Sequence, residues 1–109
     1  SIRMEENPVT LKPGMVISDE PAMYRTGEYG IRTENMILVR EDSETEFGKF
    51  LGFDTLTLCF IDTSLIIIPM LSVREHAWLN KYHQMVYDKI SPFLNEAEKA
   101  WLKEKTTEI

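Results

Sequence analysis

The first half of the chain alternates apolar and polar residues at strand spacing, and the second half repeats apolar residues at helical spacing. Residues 15–18 predict a short strand, and residues 31–40, rich in β-branched and apolar side chains, predict a longer one. Residues 24–30 lie between them with two glycines and several charges, which indicates an exposed hairpin loop. Before the first strand, the segment Leu11-Lys12-Pro13-Gly14 predicts a turn, with proline second and glycine third as type II turns prefer.

An acidic segment and a second alternating segment follow. Residues 41–46, EDSETE, predict a solvated hairpin tip, because charged side chains are costly to bury. Residues 49–61 alternate and predict a half-buried antiparallel strand. We expect one face of that strand to carry Leu56, Leu58 and Phe60, and the other to carry Thr55 and Thr57. Residues 1–10 are polar, and we expect them to be extended.

The last third of the chain predicts two helices. Ser72 and Glu75 have the spacing of a capping box, which predicts a helix over residues 72–91 that ends at Pro92. The apolar positions that recur at helical spacing are Trp78, Leu79, Tyr82, Val86 and Ile90. A second capping pair, Asn95 and Glu98, predicts a shorter helix through Leu102.

Composition limits the possible functions of the chain. A length of 109 residues fits one domain at most, and a net charge of −6 argues against nucleic-acid binding. The apolar run at residues 65–70 is too short to span a bilayer. The single Cys59 fits a reducing compartment. His76 and His83 are seven residues apart, so we expect surface or packing roles for them and no metal pair.

Two glutamates stand out in this pattern. Glu20 follows the first strand and precedes Pro21, and Glu34 interrupts the apolar run of the second. Because side chains alternate along a strand, Arg32 and Glu34 are expected on one face. Two carboxylates on paired strands suit a hard or borderline divalent cation. A surface pair of Arg32 with Glu34 and a solvated Glu20 explains the same residues, since lone acidic side chains are mostly exposed.

The segments SDEPAMY and GIRTEN resemble the last two metal-ligand motifs of the pita-bread metallopeptidases, specifically the aminopeptidase P (Xaa-Pro aminopeptidase) family. The family pattern is a Ser-Asn-Glu-Pro-Gly segment followed by an Ile-Arg-x-Glu-Asn segment. The likeness continues through FLGFDTLTLCFID and WLNKYHQMVYDKISPFL, and therefore covers nearly the whole chain. One departure is Ala22, which stands where the family usually has glycine and leaves the carboxylate of Glu20 in place.

The resemblance implies an α+β fold, the C-terminal part of a pita-bread (creatinase/aminopeptidase-like) catalytic domain, with a curved antiparallel sheet followed by two helices. Residues 1–70 would belong to the catalytic domain, and residues 71–109 would form the C-terminal helical extension of the three-domain cytosolic type. The resemblance also implies a site with two divalent ions, usually manganese. Its residues would be Glu20, which binds one ion and lies near the proton transfer, Glu34, which bridges both ions, and Arg32 and Tyr24, which lie beside the ligands.

The other three ligands of the family, two aspartates and a histidine, lie upstream of the matched segments. We therefore expect this chain, which begins at Ser1, to be a C-terminal piece that binds no metal and is inactive alone. The intact protein would be a cytoplasmic homodimer that removes the N-terminal residue from peptides with proline second, with no nucleic-acid or membrane partner. The alternative is a non-catalytic pita-bread relative that serves as a binding or dimerisation module. Such relatives typically lose the ligand carboxylates, whereas Glu20 and Glu34 are both retained.

Overall fold

The computed structural model describes residues 8–109, so the predicted extension of residues 1–10 lies largely outside the described residues. The chain divides into two compact units, Ser1–Thr57 and Leu58–Ile109. The strands described in the first unit are β1 (Val16–Asp19), β2 (Ala22–Arg25), β3 (Tyr29–Arg32), β4 (Asn35–Thr45) and β5 (Gly48–Thr55). The second unit contains the helices α1 (Val73–Ile90) and α2 (Glu96–Lys105), with 3₁₀ turns at Thr63–Leu65, Ile68–Met70 and Ser91–Phe93. This order of antiparallel strands followed by two helices confirms the predicted α+β class; the predicted domain boundary after residue 70 stays a prediction.

The five strands pair in two antiparallel sheets. One sheet has the order β1-β4-β5, with β4 in the centre, and the other consists of β2 and β3. The predicted type II turn before β1 is confirmed, because the Met15 amide donates to the Lys12 carbonyl at 3.1 Å and Gly14 has a φ of +89°. Among residues 8–57, Val39 in the central strand is the most deeply buried side chain, with 1% of its surface exposed.

The exposed hairpin predicted over residues 24–30 is confirmed, but its loop is shorter than predicted, because both ends of the segment are strands. β2 and β3 form a hairpin closed by a three-residue turn, in which the Glu28 amide donates to the Arg25 carbonyl at 3.0 Å. Gly27 supplies the positive φ of +75° that this turn requires. The aromatic residues Tyr24 and Tyr29 favour extended backbone, and that preference outweighs the polar composition of the segment.

The single strand predicted over residues 31–40 is wrong, because it is broken between Arg32 and Asn35. The break has a local cause on the opposite strand. The Thr33 amide donates to the Pro21 carbonyl at 3.3 Å, but proline has no N–H to return the bond. One half of a hydrogen-bonded pair is therefore missing, and strand pairing stops for two residues on each side.

The predicted acidic loop at residues 41–46 is mostly strand, since β4 continues to Thr45. A β-bulge between Glu41 and Ser43 leaves Asp42 without a directly opposed residue on β5. Arg40 offsets the negative charge of the segment: its guanidinium lies 2.7 Å from Asp42 and 2.8 Å from Asp54. The two carboxylates hold the pKa of Arg40 above its usual value.

The strand predicted over residues 49–61 ends at Thr55, six residues early. The expected alternation fails beyond that point, because Leu56 is 44% exposed and Thr57 is half-buried. Polar hydrogen bonding explains why Thr57 turns inward. Its hydroxyl Oγ1 accepts from the Met36 amide at 2.8 Å.

Both predicted helices are confirmed, together with their caps. Ser72 Oγ accepts from the Glu75 amide at 3.3 Å and Glu75 Oε2 accepts from the Ser72 amide at 2.8 Å, so the capping box is complete. Asn95 and Glu98 make the same reciprocal pair at 2.9 Å in each direction. The core of this unit consists of Leu79, Tyr82, Val86 and Leu102. Neither helix of the described residues is long and apolar enough to cross a membrane.

One histidine lies inside this helical unit. His83 is completely buried, and its Nε2 accepts from the Ile61 amide at 3.0 Å, so Nδ1 must carry the proton of the neutral ring. Nδ1 has no hydrogen-bonding partner among the described residues. Burial lowers the pKa of His83 below its ordinary value of 6.5, because the charged ring loses its hydration.

The buried histidine predicts that the chain loses stability in mild acid. Below about pH 6.5 the unfolded chain binds a proton at His83 that the folded chain rejects, so unfolding becomes easier as pH falls towards the lowered pKa. The slope from one such group is at most about 1.4 kcal/mol per pH unit. Thermal unfolding followed by circular dichroism between about pH 7.5 and pH 5 measures it.

His83→Gln is the informative variant, since the amide oxygen can accept the Ile61 bond and does not titrate in this range. It should flatten the pH dependence, whereas the matched His76→Gln should retain it. An unchanged slope in His83→Gln would contradict this assignment.

Candidate functional site

The two small sheets of the first unit share one register. The opposed residues of β1 and β4 run from Val16 with Leu38 to Asp19 with Asn35, and those of β2 and β3 run from Ala22 with Arg32 to Arg25 with Tyr29. Counting inward from either sheet sets Glu20 opposite Glu34 and Pro21 opposite Thr33. The hydrogen bond from Thr33 to Pro21 at 3.3 Å fits that count. The two sheets are therefore one hairpin, interrupted at the two glutamates.

All four predicted site residues fall on one face of this hairpin. Opposed residues of an antiparallel pair share a face, and every second residue along each strand returns to it. By this rule Glu20, Glu34, Arg32 and Tyr24 occupy one face, with Ala22 between Glu20 and Tyr24. Opposed Cβ atoms lie about 4.5–5.5 Å apart, which is within the reach of two glutamates for one cation.

Two contacts within the face agree with this assignment. Arg32 Nε lies 3.5 Å from Glu34 Oε2, and the two side chains are 52% and 38% exposed. Across the hairpin, the ring of Tyr24 lies over Gly30, so that a Cβ built on Gly30 would come within 2.8 Å of Tyr24 Cε1. The ion pair is common to both interpretations of the sequence, the surface pair and the metal site.

The chemistry of the face suits a hard divalent ion. Glu20 and Glu34 offer carboxylate oxygens, which such ions prefer, and both side chains are accessible to solvent. Two carboxylates alone make an incomplete site. Within residues 8–109, no group of three or more His, Cys, Asp or Glu side chains is gathered where it could hold a metal. The described residues therefore fit one side of a metal site.

Other residues line two open grooves, one in each unit. One, of about 590 Å³, runs along α1 beside Asn80 and Gln84, and the other, of about 410 Å³, follows the acidic end of β4. None of the four predicted site residues lines either groove. A residue outside the two motifs is Thr57, whose hydroxyl accepts a hydrogen bond from the Met36 amide, two residues after Glu34. No local pattern indicates it, because its partner lies 21 residues earlier in the chain.

Comparison with known proteins agrees with this geometry. Residues 49–109 match the C-terminal region of peptidase M24, and residues 2–41 match the metallopeptidase family M24. These matches assign the chain to the metallopeptidases. The chain belongs to metallopeptidase family M24, which confirms the family predicted from the two motifs.

Similar proteins carry the same name as the predicted family. The chain is 43% identical to "Probable Xaa-Pro aminopeptidase P" of Coprinopsis cinerea over 99% of its own length and 18% of the relative. It is 41% identical to the protein of that name from Talaromyces marneffei, over 95% of its length and 17% of the relative. The chain thus spans less than a fifth of the length of these curated relatives.

A solved structure matches the fold. It is the crystal structure of X-prolyl aminopeptidase from Caenorhabditis elegans, described as a cytosolic enzyme with a di-nuclear active site. The match has a TM-score of 0.86 and 32% identity, and covers 99% of this chain and 18% of that one. It confirms the predicted fold, the C-terminal part of a pita-bread aminopeptidase domain.

Because the Tyr24 ring packs on Gly30, we expect the effect of Gly30→Ala on the free energy of unfolding to change sign when Tyr24 is removed. Gly30→Ala should destabilise the chain by about 1 kcal/mol, because the new methyl group meets the Tyr24 ring. In a Tyr24→Ala background the same change should stabilise it by about 0.5 kcal/mol, since alanine loses less entropy than glycine in a strand. Urea unfolding of the four proteins measures both effects. Equal effects in the two backgrounds would show that the ring does not lie over Gly30.

Proposed function

We propose that this chain supplies the C-terminal part of a dinuclear metal-dependent aminopeptidase. The observation that carries the proposal is the continuous register, which sets Glu20 opposite Glu34 on one face. The domain boundary that we propose lies after residue 70, with the catalytic part before it and the helical extension after it. The substrate that we propose is a peptide with proline second, and it rests on the relatives named Xaa-Pro aminopeptidase P.

Glu20 and Glu34 are the metal ligands in this proposal. Both must be ionised to bind, so binding competes with protons at low pH. Bound there, two divalent ions, which we propose to be manganese, would supply an acidified water and a polarised scissile carbonyl. Glu34 would contact both ions, and Glu20 would contact one and take part in the proton transfer that accompanies bond cleavage.

Arg32 and Tyr24 act through these ligands. The guanidinium of Arg32, 3.5 Å from Glu34, would hold that carboxylate in one orientation and offset the repulsion between the two glutamates. Tyr24 would add a hydroxyl to the face, two residues beyond Ala22. Its ring can lie over Gly30 because glycine has no side chain there. A non-catalytic relative would have no use for two opposed carboxylates, so their retention favours the enzyme.

We also propose that the intact protein is a homodimer in the cytosol. Large aromatic side chains of the helical unit remain half exposed, namely Trp78 at 48% and Trp101 at 52%, and exposed aromatic surface is typical of interfaces. The cytosolic location rests on the description of the Caenorhabditis elegans enzyme.

Sedimentation equilibrium of the longer protein tests the dimer. Trp101→Glu should shift the protein towards monomer, and a monomeric unsubstituted protein would contradict the proposal.

The metal assignment is tested in the longer protein that contains this chain. Glu34→Ala should lose more bound manganese than Arg32→Ala, because it removes a ligand, whereas loss of a supporting partner costs on the order of 10–100-fold in affinity. Elemental analysis after gel filtration gives the metal content.

The 109 residues alone should show no turnover of a Xaa-Pro peptide in an activity assay, since three ligands of the family lie outside the matched motifs.

The same hairpin provides the control. Glu28 forms an exposed pair with Arg25 at 3.6 Å, so Glu28→Ala removes an equivalent charge without touching the face. It should leave metal content unchanged. Normal metal content in Glu34→Ala would remove Glu34 from the ligands and would favour the surface-pair interpretation.

A further inference from the structure

Thr57 makes an unusual bond at the start of the central strand. Extending the β4–β5 register by one pair beyond Ile37 and Thr55 sets Met36 opposite Leu56. A regular antiparallel pair at this position would exchange two backbone bonds. Only one of them is made as expected, from the Leu56 amide to the Met36 carbonyl at 2.8 Å. The Met36 amide donates instead to Thr57 Oγ1, also at 2.8 Å.

The hydroxyl of Thr57 therefore replaces a backbone carbonyl at the end of the ladder. β5 has ended at Thr55, and the chain is leaving the sheet when Thr57 reaches back. The replacement keeps the first residues of β4 attached to a strand on that side. It comes two residues after Glu34, at the point where β4 is again paired with β1, since Met36 lies opposite Ser18.

The backbone around Glu34 is thus held from two directions. Thr33 is bonded to Pro21 at 3.3 Å on the β1 side, and Met36 is bonded to Thr57 at 2.8 Å on the β5 side. Glu34 lies between these attachments, in the two-residue break, and regular pairing resumes beside it with Asn35 opposite Asp19. Of the two bonds, the bond to Thr57 is the shorter, and a side chain supplies it.

We propose that Thr57 is a positioning residue for Glu34, and that its hydroxyl fixes the backbone from which this carboxylate reaches a metal ion. The inference rests on the proposed function, because it assumes that Glu34 is a ligand. The proposal adds Thr57, which follows β5, to a site otherwise built from the interrupted hairpin of β1 to β4. Thr57 touches neither substrate nor ion, and acts through the Met36 amide.

The test compares three substitutions in the longer protein. Thr57→Val removes the acceptor and keeps the branched shape, Thr57→Ser keeps the hydroxyl, and Thr55→Val makes the same change two residues earlier on β5. Amide hydrogen exchange by mass spectrometry, without added metal, follows the peptide that contains Met36. Calorimetric titration with manganese then gives the metal affinity.

Thr57→Val should speed exchange in that peptide and weaken manganese binding on the order of tenfold, as loss of a supporting partner does. Thr57→Ser should restore both, and Thr55→Val should change neither. A purely structural role would lower the unfolding temperature in Thr57→Val without changing the affinity of the folded protein for manganese. That outcome, or unchanged exchange, would overturn the proposal.

The outcome for Glu34 separates the two proposals. If Glu34→Gln loses manganese and Thr57→Val binds it normally, the positioning role is wrong and the proposed function stands. If Glu34→Gln binds manganese as tightly as the unchanged protein, the proposed function fails, and the positioning role fails with it.

Discussion

The single register of the interrupted hairpin decides which side chains of this protein share a face. Glu20 and Glu34 are fourteen residues apart in the sequence. They lie opposite each other because the strand pairs on both sides of the break have the same register. A slip of one residue in either sheet would send one carboxylate to the opposite face. The turn at Gly27 fixes this register at one end of the hairpin, and the β1–β4 pairing fixes it at the other.

The interruption itself follows from backbone chemistry. Pro21 accepts a bond and cannot return one, so the ladder stops where the glutamates lie. A break in pairing releases the backbone from the flat geometry of a strand, and would leave it mobile if nothing else held it. Thr57 compensates on the other side with a side-chain acceptor. Pairing with β1 resumes at Asn35, and the bond to Thr57 attaches the next residue, Met36, on the β5 side as well.

The parts of this structure that could be predicted from the sequence are those with local causes. The starts of both helices can be predicted, because a cap and its partner lie three residues apart. These pairs are Ser72 with Glu75 and Asn95 with Glu98. Strand bounds were predicted less well, since they depend on the partner strand. The break after Arg32 comes from Pro21, and no property of residues 31–40 alone reveals it. The alternating pattern places Thr57 inside a strand that ends at Thr55, and its bond to Met36 appears only in the three-dimensional structure.

Two opposed glutamates are a locally unfavourable choice, and that makes them informative. Like charges directly across an antiparallel pair destabilise it, and a single Arg32, itself half exposed, offsets only part of the repulsion. Sequences tend to depart from local stability rules where function demands it. A bound cation turns this repulsion into attraction, because each carboxylate then faces positive charge. The same hairpin shows the ordinary solution at Arg25 and Glu28, where one charge of each sign meets at its tip. The opposition of Glu20 and Glu34 therefore supports the proposed metal site, because a bound cation would offset a repulsion that the surface-pair interpretation leaves in place.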